Sequence, residues 1–248
     1  MPQLLKNWTR VFIDPLLSLG IARLPQYFID WKRYNKLAQS KSANWEESYP
    51  CLNDKSTYTP FDPHYFYQAC WAARKLSKNT STWHVDVGSS VMMVGVISAY
   101  VPTVFVDCRP LMATMANLLT LAGDLSALPF DDCSIPSLSC LHVIEHVGLG
   151  RYDDALDPQG SAKAAQELCR VLAPGGRLLL STPVGRERVQ FNAHRIFAPE
   201  TVVHLFSGLD LVDFAVVDDV GNYLDKADMA QAACFEYACG MFEFIKER

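Results

Sequence analysis

Between Trp83 and Val184 the chain alternates short apolar runs with stretches at helical spacing, and that alternation leaves few folds open to it. The runs WHVDV, TVFVD, LLTLAGD, SLSCLHV and GRLLLSTPV are short and buried in character, and each leads into a turn or a helical stretch. Strands that read as near-continuous apolar runs, separated by helical segments, predict a parallel sheet with crossover helices. The clearest helix, in SAKAAQELCRVLAPGG, puts Ala164, Ala165, Leu168, Val171 and Leu172 on one face and ends at Pro174-Gly175-Gly176. After Val184 a loop holds FNAHRIFAPE, and a helix is expected from near Pro199. Two later runs, LDLVDFAVVDD and YACGMFEFIK, are joined by a connection with the turn residues Gly221 and Asn222 and are most simply antiparallel.

Residues 1 to 80 follow another grammar and are expected to form an N-terminal helical extension to an α/β domain over residues 81–248. Leu4, Trp8, Val11 and Phe12, then Tyr27, Phe28, Trp31 and Tyr34, recur at helical spacing. The stretch from Ser40 to Pro63 is polar and proline-bearing, so it reads as a connecting loop. A helix should start with Asp62 as N-cap and Pro63 in its first turn, and run through HYFYQACWAARKL. With 248 residues there is room for one sizeable α/β domain and an added element.

Composition narrows the partners. A net charge of -5, without a concentration of Lys and Arg, argues against nucleic acid. The first twenty residues do not read as a signal peptide, since Arg10 and Asp14 interrupt the apolar stretch. No run approaches the ~20 apolar residues of a membrane span. The eight cysteines are scattered with no C-x-x-C pair, which predicts a reducing compartment, the cytoplasm, and no disulfide framework. The N-terminal segment, with Lys6, Trp8, Arg10 and Phe12, is expected to serve as a cover over the active site or an oligomer contact rather than a membrane-surface helix.

Open α/β sheets bind ligands beyond the carboxyl ends of their strands, so those ends carry the chemistry. The first strand ends in Asp86-Val87-Gly88-Ser89-Ser90 and runs into a helix. A glycine there lets backbone approach a ligand, and helix N–H groups with small Ser side chains can donate to an anion. The second strand ends in Asp107, 21 positions after Asp86, placed to accept from both ribose hydroxyls. The third ends in Gly123-Asp124-Leu125, where a carboxylate can accept from an adenine amino group and Leu125 can pack on the ring. Taken singly, each is as well explained by a turn or a cap. In this order and spacing they point to a nucleoside site.

The blocks VDVGSS, VFVDCRP, AGDLSALPFDDCSIPSLSCLHVIEHV and ELCRVLAPGGRLLLSTPVG resemble the successive motifs of class I S-adenosylmethionine (SAM)-dependent methyltransferases. HYFYQACWAARK, GLGRYDDALDPQG and FNAHRIFAPE resemble a poorly characterised family of methyltransferase-like proteins. The core resemblance covers about 100 residues. It implies a Rossmann-like, seven-stranded α/β sheet with a reversed last strand, SAM as cofactor, and Asp86, Gly88, Ser89, Asp107, Asp124 and Leu125 as its contacts. The first loop departs from the family's D-x-G-x-G-x-G arrangement: Val91 and Met92 stand where they could crowd the methionine end of SAM. No G-x-G-x-x-G occurs, which speaks against NAD.

His142-Val143-Ile144-Glu145-His146 also matches H-x-x-E-H, the inverted zinc-peptidase pattern. That chemistry needs both histidines on one stable helix, whereas here the motif follows an apolar strand, so no metal site is expected. His142, His146 and His194 are the candidate general bases. Arg195 is a candidate to hold an anionic acceptor and Glu145 to contact it; for each, a purely local pairing is the alternative. Asp153, Asp154 and Asp157 do not fit an EF-hand spacing and read as a solvated loop, a candidate lid. The expectation is methyl transfer to a small-molecule or glycan-like acceptor. The alternative is a non-catalytic methyltransferase-like scaffold for binding or assembly.

Overall fold

The computed structural model describes residues 8, 19–38, 41–109 and 111–248. Two compact units emerge, Met1–Phe61 and Asp62–Arg248. Leu4, Lys6, Arg10, Val11 and Phe12 lie outside the described residues. In the first unit, Tyr27, Phe28, Trp31 and Tyr34 fall on helix α1 (Leu24–Leu37), as their spacing predicts. None of its side chains is fully buried; Trp8 instead packs its ring on Tyr27, Phe28 and Trp45, with centroids 5.0 to 6.0 Å apart.

The second unit begins with helix α2 (Pro63–Leu76), where the Asp62 carboxylate accepts from the N–H groups of His64 and Tyr65, two of the donors a helix start leaves open. Helix α2, expected in the N-terminal extension, contacts the last strands and falls in the α/β unit. Strand β1 (His84–Val87), helix α3 (Val91–Ile97), β2 (Thr103–Asp107), β3 (Leu118–Ala122) and β4 (Ile135–Leu141) follow. Then come α4 (Gly160–Val171) and β5 (Leu172–Val184), a hairpin of β6 (Arg188–Gln190) and β7 (His194–Ile196), and α5 (Pro199–Leu205). The chain closes with β8 (Asp210–Val217), β9 (Tyr223–Leu224), α6 (Met229–Ala232) and β10 (Ala238–Ile245).

The main sheet runs β3-β2-β1-β4-β5-β10-β8-β9. The first five are parallel neighbours, and β10 is antiparallel to both β5 and β8. Seven strands thus match the expected sheet with its reversed last strand, and the two-residue β9 adds an eighth at the edge. The expected loop around FNAHRIFAPE contains the β6–β7 hairpin.

Period-two alternation sends the strands' side chains to two cores. Leu138, Leu178, Leu180, Phe242 and Phe244 face Ala164, Ala165 and Leu168 of α4. Leu141, Leu179, Cys239 and Met241 face Trp71, Ala72 and Leu76 of α2 and Met93, Val94 and Ile97 of α3. Among the described residues no helix is long and apolar enough to cross a membrane. All eight cysteines are free thiols.

Candidate functional site

Parallel order brings the ends of β1, β2, β3 and β4 to one edge, and two cavities open there. The first, about 350 Å³, is lined by Val87, Gly88, Val106, Asp107, Asp124 and Leu125 among others. Asp107 ends β2; its Oδ1 accepts from the Arg109 N–H at 2.7 Å, which leaves Oδ2 with no protein partner among the described residues. Asp124 repeats the pattern, with Oδ1 accepting from the Ser126 N–H at 2.8 Å. Gly88 turns the chain at φ +68°, a left-handed conformation that glycine takes without strain. Two carboxylates in a slot walled by Val87, Val106, Leu125, Val143 and Val147 can accept from hydroxyl and amino groups of a ligand whose flat face packs on hydrocarbon.

The roof is the 148–157 loop. Gly148 has φ +82°, and a Cβ there would lie 2.1 Å from the Asp157 carbonyl oxygen, so only glycine fits. The Asp154 carboxylate accepts from the N–H groups of Gly148 and Tyr152, at 2.6 and 3.1 Å, and so clips the loop shut. Tyr152, Asp153 and Asp154 line the cavity, with the Arg109 guanidinium 4.3 Å above the Tyr152 ring.

The second cavity, about 590 Å³, is walled by rings, including four of the protein's six histidines: His64, His142, His146 and His194. Tyr65, Tyr152 and Tyr237 join them. Its rings touch in series: His64 stacks on Tyr237 at 5.4 Å, and Tyr237 lies 5.0 Å from His194. Gly88, His142, His146 and Tyr152 line both cavities, so the two spaces meet there.

His142 follows β4 with φ +56°, and this left-handed turn carries its ring inward. Nδ1 lies 2.9 Å from Glu145 Oε1 and Nε2 lies 3.2 Å from Cys239 Sγ. Burial works against a charge on this ring, but Cys239 and Glu145 outweigh it and raise His142 well above the ordinary histidine value. Either way, both nitrogens are engaged by protein atoms. His146 Nδ1 lies 2.7 Å from the Ala193 carbonyl oxygen, and His194 Nε2 is buried with no partner among the described residues. Burial, as the largest cause, holds His64, His146 and His194 below the usual histidine range.

Several expected contacts lie elsewhere. Asp86 is fully buried behind the cavities, not in them: its carboxylate accepts from the Ser139 hydroxyl and, at 3.1 Å, from the Ser89 N–H. Burial pushes Asp86 up to about 6 against those bonds. Ser89 is largely buried, its Oγ accepts from the Leu141 N–H, and it borders the second cavity rather than the first. Arg195 does not reach either space; its guanidinium donates to the carbonyls of Val147 and Asp157 and to Ser161 Oγ. A buried guanidinium ringed by carbonyl acceptors holds the chain on both sides of the roof loop, which is a local pairing. Glu145, fully buried, reaches the second cavity from behind the His142 ring. Met92 lines neither cavity and is 77% exposed, while Val91 borders the second. The H-x-x-E-H segment is a series of turns and not a helix, and no cluster of metal-ligating side chains occurs among the described residues.

Tyr65, Tyr152, Tyr237 and Cys239 were not singled out from sequence. Tyr237 and Cys239 had a usable signal: an antiparallel last strand starts at the edge where the parallel strands end, since Ala238 pairs with Val184.

Residues 85–180 match the family model described as "Methyltransferase domain". That match, on a sheet of this order, decides the fold. The α/β unit has the class I SAM-dependent methyltransferase fold. Residues 135–237 also match "Caenorhabditis protein of unknown function, DUF268". Solved structures agree in architecture. The N-methyltransferase NodS from Bradyrhizobium japonicum WM9, in complex with S-adenosyl-L-homocysteine (SAH), superposes with a TM-score of 0.54 at 14% identity, over 89% of this chain and 98% of NodS. The YcgJ protein of Bacillus subtilis gives 0.53 at 16% identity, over 74% of this chain and 99% of YcgJ. A putative sarcosine dimethylglycine methyltransferase from Galdieria sulphuraria gives 0.54 at 14%, over 73% of this chain and 86% of that one. No curated protein matches the sequence.

Proposed function

We propose that this protein is a SAM-dependent methyltransferase acting on a small-molecule or glycan-like acceptor, with the first cavity for the cofactor and the second for the acceptor. The observation that carries this reading is the meeting of a carboxylate-bearing apolar slot with a ring-walled chamber at Gly88, His142, His146 and Tyr152. The first cavity fits the cofactor chemically. The free Oδ2 of Asp107 suits ribose hydroxyls, Asp124 suits an adenine amino group, and Leu125 offers the ring a flat apolar face. When bound, SAM would supply an electrophilic methyl group. Its transfer needs an acceptor atom aligned behind that methyl, and the chamber adjoining the slot offers the space for one. In the glycine-poor first loop Met92 points to solvent, and Val91 borders the second cavity rather than the first.

Calorimetric titration of the folded protein with SAM and with SAH tests the reading. Micromolar binding of either supports it, and absence of binding by both would leave a scaffold that has lost its cofactor.

A further inference from the structure

The second cavity holds three histidines that the sequence offers equally as bases; hydrogen bonding separates His142 from His146, while His194 Nε2 is buried with no partner among the described residues. His142 has a protein atom on each nitrogen, so no lone pair of its ring faces the chamber. His146 is different. A carbonyl oxygen only accepts, so the 2.7 Å contact with Ala193 fixes the proton on His146 Nδ1. In the neutral ring that leaves Nε2 bare. The Arg151 guanidinium donates to the same carbonyl at 2.9 Å and lies 3.3 Å from Nδ1 itself, a longer contact than the 2.7 Å one that sets the tautomer. His146 Nε2 stands 3.7 Å from Glu145 Oε1, too far for a hydrogen bond yet close enough to favour a positive charge that arrives there.

Such a nitrogen matters only for an acceptor that must lose a proton. A carboxylate or a tertiary amine gains a methyl group with no proton to give up, whereas a hydroxyl does not. Among hydroxyls, a phenol near pKa ~10 lies within ~4 units of an imidazole, and an alcohol lies much further off. The walls agree with a flat aromatic ring: Tyr65, Tyr237, His64 and His194 line the chamber, and ring pairs favour separations of ~4.5–7 Å.

We infer that His146, through Nε2, is the proton acceptor for a phenolic hydroxyl on the substrate. This rests on the methyltransferase reading of the two cavities. As the acceptor oxygen gains the methyl group, its proton moves to His146 Nε2; the electron pair of the broken carbon–sulfur bond stays on sulfur, giving neutral SAH. The charge-bearing or titratable groups around His146 are Glu145, His142, Arg151, Tyr152 and His194. Burial, with Arg151 and His142, keeps the ring neutral against the pull of Glu145 and the Ala193 carbonyl.

Histidine-ring nitrogen NMR on the full chain reads the tautomer directly. At pH 7.5 the His146 ring should carry its proton on Nδ1 with Nε2 bare, and either the opposite tautomer or an imidazolium would overturn the assignment. His146→Asn supplies the resonance assignment, because its amide can keep donating to Ala193 while nothing replaces Nε2. With SAH bound, catechol should shift the wild-type His146 signal and bind His146→Asn within about threefold of wild type. Methyl transfer from SAM to catechol should fall at least a hundredfold in the same variant. Equal loss of binding and transfer would make His146 structural. Binding of methyl glucoside in place of catechol, or of neither, would overturn the phenolic class. Failure of SAH to bind the wild type would sink the methyltransferase reading while leaving the tautomer result to stand by itself.

Discussion

The two cavities share an edge of one sheet but are built by opposite strategies. The first takes its polar groups from consecutive strand ends, Gly88, Asp107 and Asp124, so a stretch of the chain at regular spacing encodes it. The second draws on five separated pieces: the start of α2, the loop after β1, the turns after β4, the hairpin at His194, and Tyr237 ahead of β10. A site assembled from serial strand ends is fixed by topology alone. A chamber assembled from distant segments depends on how each is held, and here buried hydrogen bonds do the holding.

The sharpest way to break that comparison is Asp107→Ala. If the first cavity is the cofactor slot, losing the carboxylate removes two charge-assisted hydrogen bonds, about 4 kcal/mol in all. SAH affinity measured by calorimetry should fall on the order of a thousandfold, with the circular dichroism spectrum unchanged. Unaltered affinity would detach Asp107 from the ligand and undo the assignment of both cavities.

Arg195→Met tests the second strategy. Its guanidinium satisfies carbonyls of Val147, Asp157 and Pro158, which flank the roof loop. Removal takes a charged donor from the half-buried Val147 carbonyl and the buried Ser161 hydroxyl, so urea denaturation should show a loss of about 3 kcal/mol. A variant of full stability that loses only acceptor binding would restore Arg195 as a substrate ligand.

How much of this was legible follows from the same contrast. The strand runs, the Asp62 cap, the α4 face and the reversed last strand could be read because period and capping are local properties. That Asp107, Asp124 and Leu125 line one cavity was legible because strand ends converge in any parallel sheet. Asp86 was misleading. It sits at a strand end like the other two, yet β1 is the central strand covered on both faces, so its carboxylate turns into the core toward Ser139. The tautomer of His146 was out of reach, since Ala193 lies 47 residues away and its carbonyl is placed by a hairpin that read as plain loop.

The buried array behind the cavities offers a gentler test through pH. Asp86 is raised from 3.8 to about 6, chiefly by burial. The folded protein therefore keeps that proton across a range where the unfolded chain has lost it. The group favours folding most below its unfolded value, and this contribution is lost as pH rises to about 6. His84, lowered to about 3 by burial, acts in the opposite sense, losing stability as pH falls below 6.5. Comparing wild type with Asp86→Asn cancels the His84 part. Wild-type stability should drop relative to the variant by about 1.4 kcal/mol per pH unit across this window and level off above it. A flat difference would mean that Ser139 and Ser89 fully offset the burial of the charge.

The smallest expected effect bears on the first loop, where a family pattern rich in glycine is replaced by Ser89-Ser90-Val91-Met92. Crowding of a ligand would require the Met92 side chain to reach the slot. Its position at the start of α3 sends it outward instead, at 77% exposure, while Met93 beside it goes into the core. A helix turns about 100° per residue, so the two neighbours cannot share a face, and the burial of Met93 against Val94 and Ile97 decides which one points away. Met92→Ala should therefore leave SAH affinity within about twofold and stability within about 0.5 kcal/mol. A tenfold gain in affinity would show that Met92 swings over the slot, and the loop rather than the strand ends would then set how tightly the cofactor is held.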